Sequence, residues 1–164
     1  MPSTIAPCLW FDTQAEEAAR YYTGIFQNSK ITATSYYADA GQEIHGKPAG
    51  SVLTVAFELN GQPFTALNGG GTQFPFSPAV SFQVECEDQA EIDYYWEKLT
   101  AGGDPTAQQC GWVADKFGLS WQIIPKNLSA MFTDPDAAKS KRVFQAMMGM
   151  KKLDIAALQR AFAG

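Results

Sequence analysis

Two stretches of the chain carry apolar residues at helical spacing, and the second stretch repeats the first. Each position in the second stretch lies 74 residues after its counterpart. The paired positions are Ala18 and Ile92, Tyr21 and Tyr95, Tyr22 and Trp96, and Ile25 and Leu99. Apolar residues three or four positions apart share one face of a helix. Two such stripes in register predict an internal duplication, which fixes the architecture.

A predicted strand and a predicted helix start precede each stripe. Residues 7–11 and residues 81–86 are short runs that indicate strands. Residues 13–16 are Thr-Gln-Ala-Glu, and residues 88–91 are Asp-Gln-Ala-Glu. Both have the form of a capping box, in which the first and last side chains accept hydrogen bonds from free backbone N–H groups. Each copy therefore begins with a strand followed by a helix.

Three further strands are predicted after each helix. In the first copy Asn60-Gly61 predicts a tight hairpin, because both residues tolerate positive φ. In the second copy a turn at residues 115–118 leads into the last strand. The predicted strands are residues 31–37, 51–59, 63–68, 106–109, 111–114 and 119–124. Each module is thus βαβββ, and the Gly- and Pro-rich residues 69–78 link the two.

Two helices are predicted beyond the second module. Asp134 has the position of an N-cap and Pro135 that of the first helical residue, and this helix extends to about Met148. Its apolar face is formed by Val143, Phe144, Met147 and Met148. A second short helix, capped by Asp154, follows. Apolar helices at the end of a chain cover either their own domain or a partner's, and we expect a homodimer.

Composition and charge exclude several classes of function. Of the 164 residues, 46% are hydrophobic and 18% are charged, which is typical of a globular domain. The net charge of -5 and the scattered basic residues offer no surface for phosphate backbones, so nucleic acid is not an expected partner. The long uncharged stretch at residues 59–84 is interrupted by glycines and prolines, which argues against a membrane span.

The cysteines and the first residues predict a cytoplasmic protein. Cys8, Cys86 and Cys110 are odd in number and widely spaced, whereas a disulfide framework favours an even set and a zinc site favours close pairs. Residues 1–12 lack the basic start and long apolar core of a secretory signal. We therefore expect free thiols that serve in packing.

Three segments resemble the vicinal oxygen chelate superfamily, which includes glyoxalases and bleomycin-resistance proteins, and more narrowly its PhnB-like subgroup. They are residues 5–11 (IAPCLWF), 64–70 (FTALNGG) and 110–122 (CGWVADKFGLSWQ), and the superfamily resemblance extends over residues 1 to about 126. Proteins of this subgroup often carry the name 3-demethylubiquinone-9 3-methyltransferase.

The resemblance implies an α+β fold in which tandem βαβββ modules form a curved mixed sheet, followed by C-terminal helices. The first module is expected at residues 1–76, the second at 77–126 and the helical appendage at 127–164, in one compact domain overall. A cleft formed by the curved sheets would hold the ligand.

The resemblance also implies positions for metal ligands on the first and last strands of each module. On the first strands these positions are Pro7 and Ser81. On the closing strands they are Asn68, or Ala66 one step earlier on the same face, and Gln122. Divalent metals prefer imidazole, thiolate or carboxylate, and none of these residues supplies one. The sequence therefore predicts no bound metal and no other cofactor.

The predicted ligand-binding residues are those that alternation places in the clefts. They are Pro7, Leu9, Phe11, Asn68, Ser81, Gln83, Trp112, Ser120 and Gln122. Two ionisable residues are weak candidates for catalysis, Glu85 as a general base and His45 as a proton shuttle. His45 is the single histidine of the chain and falls in a Gly-flanked loop.

Three functions remain open on this reasoning. The first is a metal-free protein that binds a small, partly apolar molecule. The second is an enzyme of the same superfamily, metal-assisted or metal-free, including the methyltransferase of the subgroup's name. A methyltransferase of the common type has a Gly-rich turn between a strand and a helix, whereas residues 69–71 run into Phe-Pro-Phe at 74–76. The third is a structural or interaction dimer without a ligand.

Overall fold

The structure is a computed structural model that describes residues 3–164. The chain forms two units, residues 1–75 and residues 76–164. Each unit contains one small mixed sheet with helices, so the predicted α+β fold class is confirmed.

The first unit contains a four-stranded sheet in the order β1-β4-β3-β2. Strand β1 runs parallel to β4, and the other neighbours are antiparallel. Its elements are β1 (Cys8–Phe11), α1 (Ala15–Ile25), β2 (Lys30–Tyr36), α2 (Gln42–His45), β3 (Val52–Leu59) and β4 (Gln62–Asn68). The predicted strand, helix and three strands are confirmed here. The short helix α2, which the sequence did not predict, occupies the loop around His45.

The hairpin between β3 and β4 forms where the sequence predicts it. Asn60 and Gly61 both have positive φ, at 47° and 79°. Two consecutive residues in this conformation match the twist of antiparallel strands. The turn sets the register in which Leu59 pairs with Gln62.

Helix α1 buries one face against the sheet of the first unit. Its buried residues are Ala15, Ala18, Ala19, Tyr22 and Ile25. The Tyr22 ring stacks on Phe57 of β3 with centroids 6.3 Å apart, and Phe57 stacks on its cross-strand neighbour Phe64 at 5.4 Å. The predicted apolar stripe of the first copy is thus the core of this unit, although Tyr21 is half-buried at its edge.

The first predicted capping box is wrong. The N-cap of α1 is Gln14, one residue after Thr13, and it makes no side-chain hydrogen bond that caps the helix in the described chain. The Ala15 N–H instead donates to Asn68 Oδ1 at the end of β4, at 2.8 Å. The Asn68 amide also donates to the Val52 carbonyl at 3.1 Å. A strand residue distant in sequence therefore caps this helix.

The second unit contains a three-stranded sheet in the order β5-β7-β6, with β5 parallel to β7 and β6 antiparallel to it. Its elements are β5 (Ser81–Cys86), α3 (Gln89–Thr100), a short 3-10 helix (Pro105–Ala107), β6 (Trp112–Ala114) and β7 (Ser120–Pro125). Helix α3 buries Ile92 and Leu99 fully. Tyr95 and Trp96 of the same predicted stripe are half-buried.

The strand predicted at residues 106–109 is wrong. The Asp104 carboxylate accepts hydrogen bonds from the Thr106 N–H at 2.8 Å and from its hydroxyl at 2.7 Å. Together with Pro105 at the first position, these bonds fix a 3-10 helix. Gln109 contributes only an isolated bridge to Trp112. The second module therefore has one strand fewer than the first.

The second predicted capping box is confirmed. Asp88 is the N-cap of α3, and its carboxylate accepts from the Glu91 N–H at 2.9 Å. The Glu91 side chain reaches back and accepts from the Glu87 N–H at 2.8 Å. This helix start is satisfied by neighbours in sequence.

A buried carboxylate organises the turn between β6 and β7. Asp115 Oδ1 accepts from the N–H groups of Phe117 and Leu119, at 2.9 and 3.1 Å. Asp115 Oδ2 accepts from the Trp121 indole at 2.8 Å. Three donors surround a side chain that is only 2% exposed, which stabilises the turn and the start of β7 together.

Three helices follow the second sheet: α4 (Leu128–Phe132), α5 (Ala137–Met148) and α6 (Ile155–Ala163). Asp154 caps α6 by accepting from the Ala157 N–H at 2.8 Å, as predicted. The predicted cap of α5 is wrong, because Asp136 accepts from the Ala138 N–H, whereas Asp134 accepts from the Asp136 N–H. The extra turn after Pro135 displaces the helix start by two residues.

The C-terminal helices enclose an apolar cluster of their own. It contains Ile124, Leu128, Met131, Val143, Leu153 and Leu158, all buried. Of the predicted apolar face of α5, Val143 lies fully inside this cluster. Phe144 and Met148 are 52% and 49% exposed. Among residues 3–164, every helix is too short or too polar to cross a bilayer.

Candidate functional site

One face of the second sheet combines polar side chains with a tryptophan. Residues alternate along β5, so Phe82, Val84 and Cys86 face α3 while the residues between them face away from it. We call the side away from α3 the open face. It carries Ser81, Gln83, Glu85, Trp112, Ala114, Ser120 and Gln122.

The centre of the open face is a hydrogen-bonded pair. Gln122 Nε2 donates to Ser81 Oγ at 2.8 Å across the β5 and β7 strands. The amide orientation follows from this hydrogen bond. It directs the Gln122 carbonyl oxygen, an acceptor, away from Ser81 and leaves the Ser81 hydroxyl proton able to donate. The pair can therefore present one acceptor and one donor to a ligand.

Neighbouring positions extend this polar centre. Gln83 and Trp112 are the cross-strand neighbours of Gln122 on its two sides, and Ser120 is that of Ser81. Trp112 is half-buried, Gln83 is exposed and Ser120 is buried. The structure thus brings together the five residues predicted in the second module.

The C-terminal helices cover one end of the open face. Ile124 follows Gln122 on the same side of β7, and it is buried in the apolar cluster of helices α4 to α6. Its cross-strand neighbour Glu85 remains exposed at the edge of this cover. The open face is therefore bounded at the Ile124 end by helices.

The charge near the open face is negative. Glu85 is its one charged residue, and Lys126 beyond the end of β7 forms an ion pair with Glu87. The hydrogen bond to Glu87 raises the Lys126 pKa above its ordinary value, and the charges of Glu87, Glu85 and Glu91 add to this effect. Three carboxylates thus act on one lysine near the end of β7.

The residues at the predicted metal positions do not fit a divalent metal. Ser81 and Gln122 offer a hydroxyl and an amide that already bond to each other. Residues 3–164 contain no group of three histidine, cysteine, aspartate or glutamate side chains placed to share an ion. First-row metals are held by those side chains, so we derive no step through a metal.

The face assignment predicted for the first module is wrong. Leu9 and Phe11 are 5% and 4% exposed, and they lie on the α1 side of the sheet. Phe11 pairs with Asn68, whose side chain caps α1. Three residues separate β1 from α1, whereas two separate β5 from α3, so the strand faces are reversed relative to the helix. Pro7 precedes β1 and is half-buried.

The other side of the first sheet contains Trp10, which the sequence analysis did not include among the site residues. The indole N–H of Trp10 is buried and has no hydrogen-bond partner among residues 3–164. The backbone of Gly69 passes so close to the Trp10 ring that a Cβ atom on this glycine would lie 2.2 Å from the ring carbon Cζ2. The Phe74 ring packs edge-on against the same indole, and the two ring centroids are 5.2 Å apart. The run of glycines directly after β4 is the feature of the sequence that indicates a close approach of the backbone to a side chain.

His45 is held in place by its own loop. Its Nδ1 accepts from the Lys47 N–H at 3.0 Å, and its Nε2 lies 3.1 Å from the Ala40 carbonyl. The first bond requires an unprotonated Nδ1, so the proton resides on Nε2. The ring also lies against Tyr37, with centroids 4.4 Å apart. Both nitrogens thus serve the loop, which leaves neither directed at a substrate.

Comparison with known proteins gives a consistent result. A family model described as 3-demethylubiquinone-9 3-methyltransferase matches residues 3–124. The PhnB protein from Bacillus cereus is 35% identical, with a TM-score of 0.62 over 74% of this chain and 99% of that one. Protein PA1353 from Pseudomonas aeruginosa is 17% identical, with a TM-score of 0.52 over 76% and 98%, which is a likeness of fold alone.

A further solved structure is less similar. FosX, a fosfomycin resistance protein from Listeria monocytogenes complexed with Mn(II) and sulfate, is 16% identical over 75% of this chain and 91% of that one. Its TM-score of 0.47 is too low to support an inference. No curated protein matches the chain. The family match ends before α4, so the C-terminal helices lie outside it.

Proposed function

Because the chain belongs to the 3-demethylubiquinone-9 3-methyltransferase family, a PhnB-like group of the vicinal oxygen chelate superfamily, we propose that it binds a small molecule without a metal ion. The open face of the second sheet is the proposed site. The observation that carries the proposal is the Gln122–Ser81 pair beside Trp112.

The chemistry of the open face suits a small, partly apolar ligand. Trp112 and Ala114 supply apolar surface, and Gln83, Ser81 and Gln122 supply hydrogen bonds. Small-molecule sites commonly combine apolar walls with a few polar groups that fix the ligand's orientation. These neutral side chains support the binding or sequestration of a small molecule. We assign no bond-breaking step to them.

Native mass spectrometry of the purified protein, with metal analysis of the same sample, tests the proposal. We expect extra mass from a stoichiometric small molecule, or its uptake from a metabolite mixture, without stoichiometric metal. Gln122→Leu should abolish this uptake, since leucine keeps the volume and removes the hydrogen bonds. Gln159→Leu, at an exposed position on α6, is the matched control and should bind as the parent does. Stoichiometric zinc, manganese, nickel or iron would overturn the metal-free site.

An enzyme is the second candidate, because Glu85 is an exposed carboxylate on the open face. A carboxylate beside a bound ligand can accept a proton. If Glu85 is a base, Glu85→Gln should abolish turnover and retain ligand binding; full activity in that variant would exclude this role. For methyl transfer we derive no step, since residues 69–71 follow β4 and lead to β5 with no intervening helix in the described chain.

We keep two further features as proposals, a homodimer and a cytoplasmic location. The exposed Phe144 and Met148 on α5 are apolar surface that a second copy could cover. The three cysteines are free, as cytoplasmic thiols are. Sedimentation of the parent and of Phe144→Ser measures the first: a dimer that persists in the variant would exclude this surface.

A further inference from the structure

We propose that the open face selects planar ligands that are neutral or cationic and rejects anionic ones. This inference rests on the proposed function and concerns the charge class of its ligand. It is carried by the distribution of charge and of hydrogen-bond acceptors around Gln122.

The strands themselves supply no positive charge. The described strands β5, β6 and β7 contain no lysine, arginine or histidine, and Glu85 is their one charged residue on the open face. Glu85 lies two residues beyond Gln83 on the same side of β5, which is about 7 Å along the strand. A ligand bonded to Gln122 would therefore lie beside a carboxylate.

The lysines at the two ends of β7 are already engaged. Lys126 forms its ion pair with Glu87. Lys116, in the turn before β7, lies over the Phe117 ring with its Nζ 4.9 Å from the centroid. An anionic ligand would have to draw one of these cations from its present partner, whereas a cationic ligand meets no such cost.

Trp112 and Gln122 form the part of the site that favours a planar cation or amide. They are cross-strand neighbours, so both side chains project from the same side of the sheet. An aromatic face attracts cations within about 6 Å of the ring centre. The amide oxygen accepts from N–H donors in the same plane. A flat head group with N–H donors satisfies both.

Three probes of one shape separate the possibilities: benzamidine, benzamide and benzoate. They share a ring and a planar head group and differ in charge. Their dissociation constants are measured by NMR titration of the full chain at low ionic strength, where surface charges are least screened. We expect benzamidine and benzamide to bind at least threefold more tightly than benzoate.

Variants assign the selectivity to the open face. Glu85→Gln should bring benzamidine down to the affinity of benzamide, and Gln122→Leu should weaken both. Glu97→Gln, an exposed position on α3, is the matched control for loss of one negative charge and should change neither affinity. Unchanged benzamidine binding in Glu85→Gln, or tighter binding of benzoate than of benzamidine by the parent, would overturn the proposed charge selectivity. Neither result would contradict the open face as a binding site. Failure of all three probes would count against the proposed function itself.

Discussion

The two modules start their helices by different means. In the first, Asn68 at the end of β4 accepts from the Ala15 N–H, so the helix start depends on a residue 53 positions away. In the second, Asp88 and Glu91 satisfy the helix start locally. The stripe positions of α1 and α3 are offset by 74 residues along the chain, and both helices bury residues of their stripe. The two helices thus share the spacing of their apolar stripes, while the connections around them differ.

The sheets show the same divergence. The first sheet has four strands, and Trp10 on its side away from α1 is crossed by Gly69. The second has three strands, and the C-terminal helices pack over Ile124 on its corresponding side. On the side of the sheet away from its helix, the first module thus has a tryptophan packed against Gly69. On the same side, the second module has a polar face that helices partly cover.

The largest effect is expected from Asp115→Ala in the second module. The change leaves the Trp121 indole and two backbone N–H groups without their acceptor, and we expect the free energy of unfolding to fall by about 3 kcal/mol or more. Urea denaturation monitored by tryptophan fluorescence measures it. Asp104→Ala removes an exposed carboxylate of the same module and should cost much less. Equal losses in the two variants would contradict the role of burial.

The two helix caps should differ in cost and in range. Asn68→Ala removes two hydrogen bonds that join α1, β4 and β3, so we expect a loss of about 2 kcal/mol. Asp88→Ala removes a local cap, with an expected loss of about 1 kcal/mol. Hydrogen exchange should accelerate at α1 and at residues 52–68 in the first variant, and in the first turn of α3 alone in the second. Exchange confined to α1 in Asn68→Ala would show that this cap too acts locally.

The smallest effect is a dependence of stability on pH from Cys86 beside the start of α3. Burial raises its pKa from 9.0 to about 12, with smaller contributions from Glu91 and Asp88. The buried thiol thus contributes stability that is fully present below pH 9 and is lost as the pH rises towards 12. At pH 10 the loss should be roughly 1 kcal/mol, read from urea denaturation between pH 8 and pH 10. Cys86→Ala should remove most of this slope, and Cys8→Ala should remove a smaller part, because burial raises the pKa of Cys8 less.

Much of the fold could be predicted because periodicity and turn chemistry act locally. The helix stripes, the Asn60-Gly61 hairpin and the Asp154 cap follow from residues close together in sequence. The strand at residues 106–109 was wrong because Asp104 binds its own backbone two residues on, which favours a turn over a strand. Helix α4, with five residues, is too short to show a helical period.

The predicted site residues lie on one face in the second module and not in the first. Ser81, Gln83 and Gln122 lie together because alternation along β5 and β7 was assigned to the correct side. Leu9 and Phe11 were assigned to the wrong side because one additional residue in the turn before α1 reverses the strand faces. Such a difference leaves the apolar stripes unchanged, so nothing in the stripe pattern reveals it.

The cluster around Ile124 also has a consequence for how the chain folds during translation. The core of the first unit is formed by residues that precede position 76, so this unit can fold once it has left the ribosome. The second unit needs Leu153 and Leu158, which are synthesised after all three strands of its sheet and after helix α4. Its sheet therefore waits with Ile124 uncovered until helices α5 and α6 have been synthesised, which separates the folding of the two units in time.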